Sequence, residues 1–317
     1  MISSPSDSGR VADAPSRNWV YRVLPRAAWP YAQLARWDRP IGWQLLLLPC
    51  LWSAALAANV SAAIGTFDLT RFVTQLFLFF VGAVAMRGAG CTYNDLVDHE
   101  IDQAVARTRS RPLPSPRVTR RQAKIFLALQ ALAGLVVLLQ FNLFSIGLGI
   151  ASLLIVAIYP FAKRFTDWPQ FFLGMAFSWG ALMGWAAEFS EVSAASLALY
   201  IAAIAWTIGY DTIYAHQDKE DDALIGVRST ARLFGERTGQ WLIGLYGLTV
   251  ALVALSFWLA GIGIVAWLGL GIAAAMLAWQ IATLDIDDPE QCLALFKFNG
   301  IVGLCLFLAL TVAIPFA

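Results

Sequence analysis

Two clusters of acidic residues have the oxygen donors that bind a metal ion, and each cluster directly follows a long apolar run. The first contains Asn94, Asp95, Asp98 and Asp102. If the apolar run continues as a helix, Asn94, Asp98 and Asp102 fall within an arc of about 80°. Carboxylates crowded on one face raise each other's pKa unless a cation lies between them. The donor type and spacing predict Mg²⁺, which binds through a few carboxylates together with a substrate phosphate.

The second acidic cluster follows another apolar run and contains Asp211, Asp218 and Asp222. On one helix these three residues fall within an arc of about 40°. Two such clusters facing each other would hold two or more Mg²⁺ ions around a diphosphate and neutralise the leaving group as its carbon–oxygen bond breaks. The alternative is that both clusters are solvated helix ends in loops. The presence of two clusters, each in register on a helix face, favours metal binding.

Basic residues accompany both acidic clusters. Arg107 and Arg111 follow the first cluster and could contact diphosphate oxygens, while Lys219 lies within the second. The alternative for these residues is that they only set membrane topology. Arg87 lies two helical turns before Asn94 on the same face, inside an apolar run. It is therefore either a functional residue or the partner of an acid in the bundle.

The composition is that of a membrane protein, since 59% of the 317 residues are hydrophobic and only 14% are charged. The net charge of +1 gives no basic field for nucleic acid, and no protein partner is deducible. Four isolated cysteines form no CxxC pair, which excludes a zinc knuckle or a redox motif of that kind. Apolar runs long enough to span a bilayer occur nine times. They lie near 42–58, 72–94, 122–140, 143–160, 170–187, 195–213, 240–259, 263–283 and 298–316.

The basic residues predict the orientation of these spans. With the amino terminus in the cytoplasm, 20 of the 22 Lys and Arg residues fall on the cytoplasmic side, Arg71 falls outside and Arg87 lies within a span. Nine spans then place the carboxyl terminus outside. Residues 1–30, rich in Ser, Pro and Arg, are expected to form a mostly disordered cytoplasmic tail. Residues 31–317 are expected to form a single all-α integral membrane domain.

The residues of the first cluster match a known signature. Asn94-Asp95-x-x-Asp98-x-x-x-Asp102 resembles the NDxxDxxxD motif of the UbiA superfamily of intramembrane prenyltransferases, and Asp218-x-x-x-Asp222 resembles its second, DxxxD motif. Further blocks, in order along the chain, resemble the 4-hydroxybenzoate polyprenyltransferase branch. These are Asp38–Gly42 with Leu45–Pro49, Arg107–Ser115, Tyr159–Arg164, Asp211–Ala215 and Gly226–Gly235.

The resemblance implies a fold, a cofactor and a set of site residues. The fold is nine transmembrane helices around a central cavity, with the prenyl tail in a tunnel open to lipid. The implied Mg²⁺ ligands are Asn94, Asp98, Asp102, Asp218 and Asp222. Asn94, Asp95 and Asp211 are expected to bind the cofactor. Arg164 matches the loop arginine of the family and is expected to contact substrate or diphosphate. The expected catalytic residues are Asp98, Asp102, Asp218, Asp222 and Arg164. The expected substrate-binding residues are Arg87, Arg107, Arg111, Lys163, Tyr214 and Lys219.

The implied reaction is transfer of a polyprenyl group from polyprenyl diphosphate to the ring carbon ortho to the hydroxyl of 4-hydroxybenzoate, in ubiquinone biosynthesis. Metal and arginines would draw charge onto the departing diphosphate in a water-poor cavity. The alternative acceptors are naphthoate, homogentisate or a tetrapyrrole. A secondary transporter is a further alternative, disfavoured because the acids lie at span ends and not near the midplane.

The short amino-terminal segment also bears on location. It favours a bacterial inner membrane, with the active site facing the cytoplasm, over a mitochondrial inner membrane.

Overall fold

The computed structural model describes residues 9–15, 17–104 and 108–316, and for residues 221, 222 and 225 it describes the backbone alone. Within these ranges the secondary structure is helical and contains no strand, as the sequence predicts. The α-helices are α1 Trp19–Val23, α2 Trp29–Leu34, α3 Ile41–Ala63, α4 Leu69–Val97, α5 His99–Ala104, α6 Arg120–Leu138, α7 Leu143–Ile158, α8 Ala162–Phe165, α9 Pro169–Ser178, α10 Gly180–Phe189, α11 Ala194–Ala215, α12 Lys219–Ile225, α13 Thr230–Phe234, α14 Thr238–Ala260, α15 Ile264–Thr283 and α16 Pro289–Ala313.

Eight helical stretches in the described ranges are long and apolar enough to cross a bilayer, where the sequence predicts nine. They are Ile41–Ala63, Leu69–Val97, Arg120–Leu138, Leu143–Phe165, Ala194–Asp218, Thr230–Ala260, Ile264–Thr283 and Pro289–Phe316.

The difference lies in the apolar run 170–187, which the structure divides into α9 and α10 at Trp179. Each of these helices has ten residues and a length of about 15 Å, half the thickness of a bilayer core. Tertiary packing accompanies the division. The indole Nε1 of Trp179 donates to the carbonyl of Leu148 at 3.0 Å. A Cβ on Gly180 would lie 2.3 Å from Cys50 Sγ, so only glycine permits this approach.

The chain divides into two compact units. Unit 1 comprises Met1–Gln44 and Val81–Leu138. One apolar cluster in unit 1 packs the end of α4 against α2 and the start of α6, and it contains Leu34, Leu96, Leu113, Val118 and Ala123. A second cluster joins α1 to α2 through Val20, Trp29 and Ala32. Unit 1 therefore holds the carboxyl end of α4 and the segment after it in a packed setting.

Unit 2 comprises Leu45–Phe80 and Leu139–Ala317 and is built around α11, whose residues are mostly buried against α9, α10, α14 and α16. Glycines allow the closest contacts, since a Cβ on Gly184 would lie 2.4 Å from the backbone nitrogen of Ala54. The turn from α14 to α15 needs Gly261, whose φ is +67°.

Aromatic rings form a row along α11 in unit 2. Trp52 and Trp206 have ring centroids 4.8 Å apart, and Trp206 and Tyr210 have theirs 4.9 Å apart. The row continues through Phe296, which lies 5.7 Å from Tyr210 and 4.5 Å from Tyr214. Such tilted and edge-to-face pairs add stability beyond area burial. The row ends at the last turn of α11, beside the second acidic cluster.

Candidate active site

The first acidic cluster keeps helical spacing across a break in the helix. α4 ends at Val97 and α5 begins at His99. The backbone nitrogen of Asp98 nevertheless donates to Asn94 at 2.8 Å, and that of Asp102 donates to Asp98 at 2.8 Å. Asp98 and Asp102 are buried, and Asn94 is half-buried. The three residues therefore keep the i, i+4 spacing that the sequence predicts.

Asp95 is fully buried and pairs with an arginine from the loop after α2. Arg36 Nη2 lies 2.5 Å from Asp95 Oδ1, and Arg36 Nη1 donates to the carbonyl of Gln33 at 2.7 Å. Arg36 has a φ of +58°, a left-handed conformation that non-glycine residues adopt only when the surroundings fix it. The backbone strain at Arg36 therefore accompanies delivery of its guanidinium to the first cluster.

Arg111 joins the first cluster to the amino-terminal segment. Its Nη1 donates to both Asp102 oxygens at 3.0 and 3.1 Å, and to Asp95 Oδ1 at 3.4 Å. Its Nε donates to Asp13 Oδ2 at 2.9 Å. Burial alone would lower the pKa of Arg111, but the three carboxylates raise it well above its ordinary value. The guanidinium is thus held on two edges.

Asp13 also pairs with Arg39, at 2.7 Å from Nη1 to Asp13 Oδ2, and Arg39 in turn contacts the buried Asp38 at 3.1 Å. Burial alone would raise the pKa of Asp13, but Arg39 and Arg111 hold it well below its ordinary value. The sequence places Asp13 in a tail expected to be mostly disordered. In the described part of that segment, its side chain is buried within the ion-pair network.

The pKa of Asp102 is raised, because burial outweighs the opposing charge of Arg111.

Arg87 lies against Gly42 in unit 1. A Cβ at position 42 would be 2.6 Å from Arg87 Nε, so glycine at this position makes room for the guanidinium. Gly42 belongs to the Asp38–Gly42 block, so this contact explains why that block ends in a glycine. Gly88, the next residue of α4, likewise makes room for the side chain of Gln130, because a Cβ at this position would lie 2.2 Å from Gln130 Nε2. Arg107 lies outside the described residues.

The second acidic cluster does not lie on one uninterrupted helix, which corrects the register assumed from the sequence. α11 ends at Ala215, a 3-10 turn covers His216–Asp218, and α12 begins at Lys219. Asp211 and Asp218 are half-buried. Lys219 Nζ lies 3.6 Å from Asp287 Oδ1 at a partly exposed position. The side chain of Asp222 lies outside the described part of the chain.

Tyr214 and the segment with Lys163 and Arg164 also belong to unit 2. The Tyr214 ring packs on Phe296, as described above. The Arg164 guanidinium lies 5.3 Å from the Phe161 ring centroid and is exposed. The backbone nitrogen of Arg228 donates to the carbonyl of Lys163 at 3.4 Å, which ties the Gly226–Gly235 block to this segment.

The oxygen donors of unit 1 fit Mg²⁺. Asp95, Asp98 and Asp102 are buried carboxylates from eight consecutive residues, and Asp95 Oδ2 accepts no hydrogen bond from any described residue. No three Asp, Glu, His or Cys side chains in the described ranges come close enough together to hold a metal ion. Mg²⁺ is commonly bound by only one or two carboxylates, with water and substrate phosphate as its other ligands.

The UbiA prenyltransferase family model matches residues 46–310. The chain belongs to this family.

Curated relatives support the same conclusion. The chain is 49% identical over 288 residues to the mitochondrial 4-hydroxybenzoate polyprenyltransferase of Drosophila melanogaster, covering 90% of this chain and 72% of the relative. It is 45% identical over 291 residues to that of Arabidopsis thaliana, covering 92% and 70%. The family and branch predicted from the motifs are therefore confirmed.

Solved structures show the fold. A UbiA homolog from Aeropyrum pernix superposes with a TM-score of 0.66 at 23% identity, covering 86% of this chain and 97% of that chain. A UbiA homolog from Archaeoglobus fulgidus bound to GPP and Mg²⁺ gives a TM-score of 0.59 at 19% identity, covering 90% and 99%. At this level of identity the UbiA-like fold is what they establish.

One prediction is wrong. The short amino-terminal segment favoured a bacterial inner membrane, but the two relatives compared above are mitochondrial proteins, which points to a mitochondrial membrane. The length and acidic residues of the first segment do not determine which membrane the helical domain occupies.

Sequence reasoning also missed three site residues of this UbiA protein. Arg36 and Arg39 were counted only as topology determinants, and Asp13 only as part of a tail. The signal for Arg39 was available, since it belongs to the Asp38–Gly42 block. The left-handed backbone of Arg36 and the burial of Asp13 are tertiary features without a local sequence signal.

Proposed function

We propose that this chain is a Mg²⁺-dependent 4-hydroxybenzoate polyprenyltransferase of a mitochondrial membrane that acts in ubiquinone biosynthesis. The observation that carries the proposal is the buried carboxylate and arginine network at the end of α4, in a chain 45–49% identical to enzymes of that name. The diphosphate of a polyprenyl donor needs cations of both kinds, metal and guanidinium.

Asn94, Asp98 and Asp102 would hold Mg²⁺ in unit 1, with support from Asp95, and Asp211, Asp218 and Asp222 would do so in unit 2. The metal, when bound, would stabilise the negative charge that develops on the departing diphosphate. Among the residues of the chain, Arg111 would bind a diphosphate oxygen, since it is a rigid fork already held on two edges. Arg107 and Lys219 are further candidates for this contact.

The aromatic acceptor carries a carboxylate that needs its own cation. Arg87, Lys163 and Arg164 are the candidates, and Tyr214 is proposed to contact substrate. The prenyl carbon–oxygen bond breaks, the ring carbon ortho to the phenol forms the new carbon–carbon bond, and the ring proton leaves. Diphosphate is the second product. Apolar helices would exclude water, which would otherwise capture the allylic cation.

The proposed topology has nine membrane crossings, an amino terminus inside and a carboxyl terminus outside. α9 and α10 together supply the ninth crossing, because Trp179 keeps helical backbone angles of −55° and −27° between them. The 21 residues from 169 to 189 then measure about 31 Å, the thickness of a bilayer core. Reporter fusions at both ends of the chain test this orientation. Reporters that are active on the same side would contradict it.

The proposed reaction is tested by product mass spectrometry. Membranes containing the chain are given Mg²⁺, a polyprenyl diphosphate and a mixture of 4-hydroxybenzoate, dihydroxynaphthoate and homogentisate. We expect prenylated 4-hydroxybenzoate and an equal amount of diphosphate, with Asp98→Asn membranes as the matched control. Preferential prenylation of another acceptor, or no product at all, would reject the proposal.

A further inference from the structure

The segment before α1 is held at several points by other residues of unit 1. The carbonyl of Gly9 accepts from Gln33 Nε2 at 2.9 Å and from Arg117 Nη1 at 2.6 Å. The backbone nitrogen of Ala12 donates to Ser110 Oγ at 2.9 Å. Gly9 has a φ of +71°, a conformation that favours glycine. These contacts fix the backbone on both sides of Val11, which is buried.

These contacts fix the position of the Asp13 carboxylate. Asp13 Oδ2 lies 2.7 Å from Arg39 Nη1 and 2.9 Å from Arg111 Nε, and the side chain is fully buried. The carbonyl of Asp13 also accepts from Arg39 Nη1 at 2.8 Å. Two largely buried guanidinium groups thus share one carboxylate oxygen, and the segment cannot shift without breaking both pairs.

The two edges of Arg111 are divided between two parts of the chain. Nε faces Asp13, while Nη1 faces Asp95 and Asp102 of the first cluster. A guanidinium bound on one edge alone can rotate about its long side chain, whereas binding on a second edge fixes its plane. The carboxylate of Asp13 therefore fixes the direction in which the Arg111 fork presents its donors.

We propose that Asp13 is a positioning residue that orients Arg111 for binding the diphosphate of the prenyl donor. This inference rests on the proposed function and deepens it, because it assigns to the amino-terminal segment a role in substrate affinity. Asp13 does not touch the reacting atoms. It acts through the guanidinium of Arg111.

The test uses the full chain in membranes with Asp13→Asn, Asp13→Glu and the exposed-acid control Glu236→Gln, which removes the same charge elsewhere. For Asp13→Asn we expect KM for polyprenyl diphosphate to rise about tenfold, as for loss of a charge-assisted hydrogen bond, with kcat within about twofold of wild type. Asp13→Glu should restore most of the affinity and Glu236→Gln should change neither constant.

A double variant shows whether the effect passes through Arg111. In an Arg111→Gln background, Asp13→Asn should raise KM by about twofold or less, because the orientated group is already gone. An unchanged KM in Asp13→Asn, a lower KM, or full additivity with Arg111→Gln would each overturn the proposal. A lower KM would mean that Asp13 competes with substrate.

A binding measurement separates this inference from the proposed function. Inorganic diphosphate with Mg²⁺ should raise the thermal unfolding temperature of the purified wild type, and Asp13→Asn should need about tenfold more diphosphate for the same shift. If the wild type shows this protection but forms no prenylated product, the proposed function fails and the inference stands. If diphosphate gives no protection, or protects Asp13→Asn equally, the inference fails.

Discussion

Arg111 Nη1 lies 3.0 Å from Asp102 Oδ2, so the last aspartate of the first motif carries its own counter-cation. Both side chains are largely buried, at 12% and 8% exposure. A buried pair of this kind is costly to break on one side, because the remaining charge is left in an apolar setting. Arg111 therefore has two roles: it neutralises buried carboxylates of the protein, and it is proposed to bind the diphosphate.

Replacing Arg111 by Lys tests whether the site needs a guanidinium group that forms hydrogen bonds along two of its edges. Lysine keeps the charge but cannot bind Asp13 and Asp102 on separate planar edges. We expect KM for polyprenyl diphosphate to rise by about tenfold or more. Arg109→Lys in the same loop is the matched control, since Arg109 is exposed, and it should behave as wild type. Equal kinetics for the two variants would contradict the role of Arg111.

Removing one charge from each acidic cluster tests the metal ligands. The variant Asp98→Asn with Asp218→Asn should lose product formation by a factor of about 10³ or more while staying folded in membranes, because the oxygens lose the charge that binds Mg²⁺. Glu236→Gln is the control for loss of an exposed acid. Retained turnover with Mg²⁺ in the double variant would sink the metal assignment.

Chelation gives a second test of the metal. Washing membranes with EDTA should abolish turnover, and added Mg²⁺ should restore it. Ca²⁺ should restore it poorly, because it prefers longer bonds and more ligands. Asp102→Asn should raise the Mg²⁺ concentration for half-maximal rate. Full activity in metal-depleted membranes would contradict the proposal.

The pKa of Asp102 leads to a pH prediction. Its folded-state pKa is raised above 3.8 by burial, so its contribution to stability is fully present below the unfolded pKa and is lost as pH rises through the folded pKa. Activity has the opposite dependence, because the ionised form is needed. At limiting Mg²⁺, where Asp102 is mostly metal-free, the acid limb of kcat/KM should therefore lie above that of an ordinary aspartate.

Arg111→Gln provides the check on this assignment. Arg111 lowers the pKa of Asp102, so its removal should move the acid limb of kcat/KM to still higher pH. Asp102→Asn should remove that limb from the residual activity. A limb that stays in place in Arg111→Gln would show that another group controls it.

The close packing at Gly184 in unit 2 predicts that adding a side chain there lowers the stability of the fold. A Cβ on Gly184 would lie 2.4 Å from the nitrogen of Ala54 and 2.7 Å from the carbonyl of Cys50, both backbone atoms that cannot move alone. Gly184→Ala should destabilise the fold by about 1–3 kcal/mol. Gly244→Ala, which meets no atom within 4 Å, is the control and should not lower the thermal unfolding temperature.

The sequence predicted the elements better than the connections between them. Eight of the nine apolar runs are long helices, since hydropathy over about 20 residues is a strong signal. The helix break at Trp179 is not marked in the sequence by a proline. It coincides with the contact of Trp179 with Leu148 and the close approach of Gly180 to Cys50, which are contacts between distant parts of unit 2.

The candidate site shows the same limit. The spacing of Asn94, Asp98 and Asp102 follows from local helical geometry, which a sequence reveals. The contacts of Asp13 with Arg39 and Arg111 join positions 26 and 98 residues apart, and no local pattern encodes them. The 3-10 turn after Ala215 also escaped prediction, because composition does not distinguish it from a continuing helix.

The aromatic row along α11 makes the protein its own optical probe. Trp52 and Trp206 are close enough for their strong indole transitions to couple, which should add a pair of bands of opposite sign to the far-ultraviolet circular dichroism. Tyrosine emission from Tyr210 and Tyr214 should pass to the neighbouring indoles. Energy absorbed by these tyrosines beside the second acidic cluster would thus be emitted from Trp206, and a comparison with Trp206→Phe would separate that emission from the emission of the other 12 tryptophans.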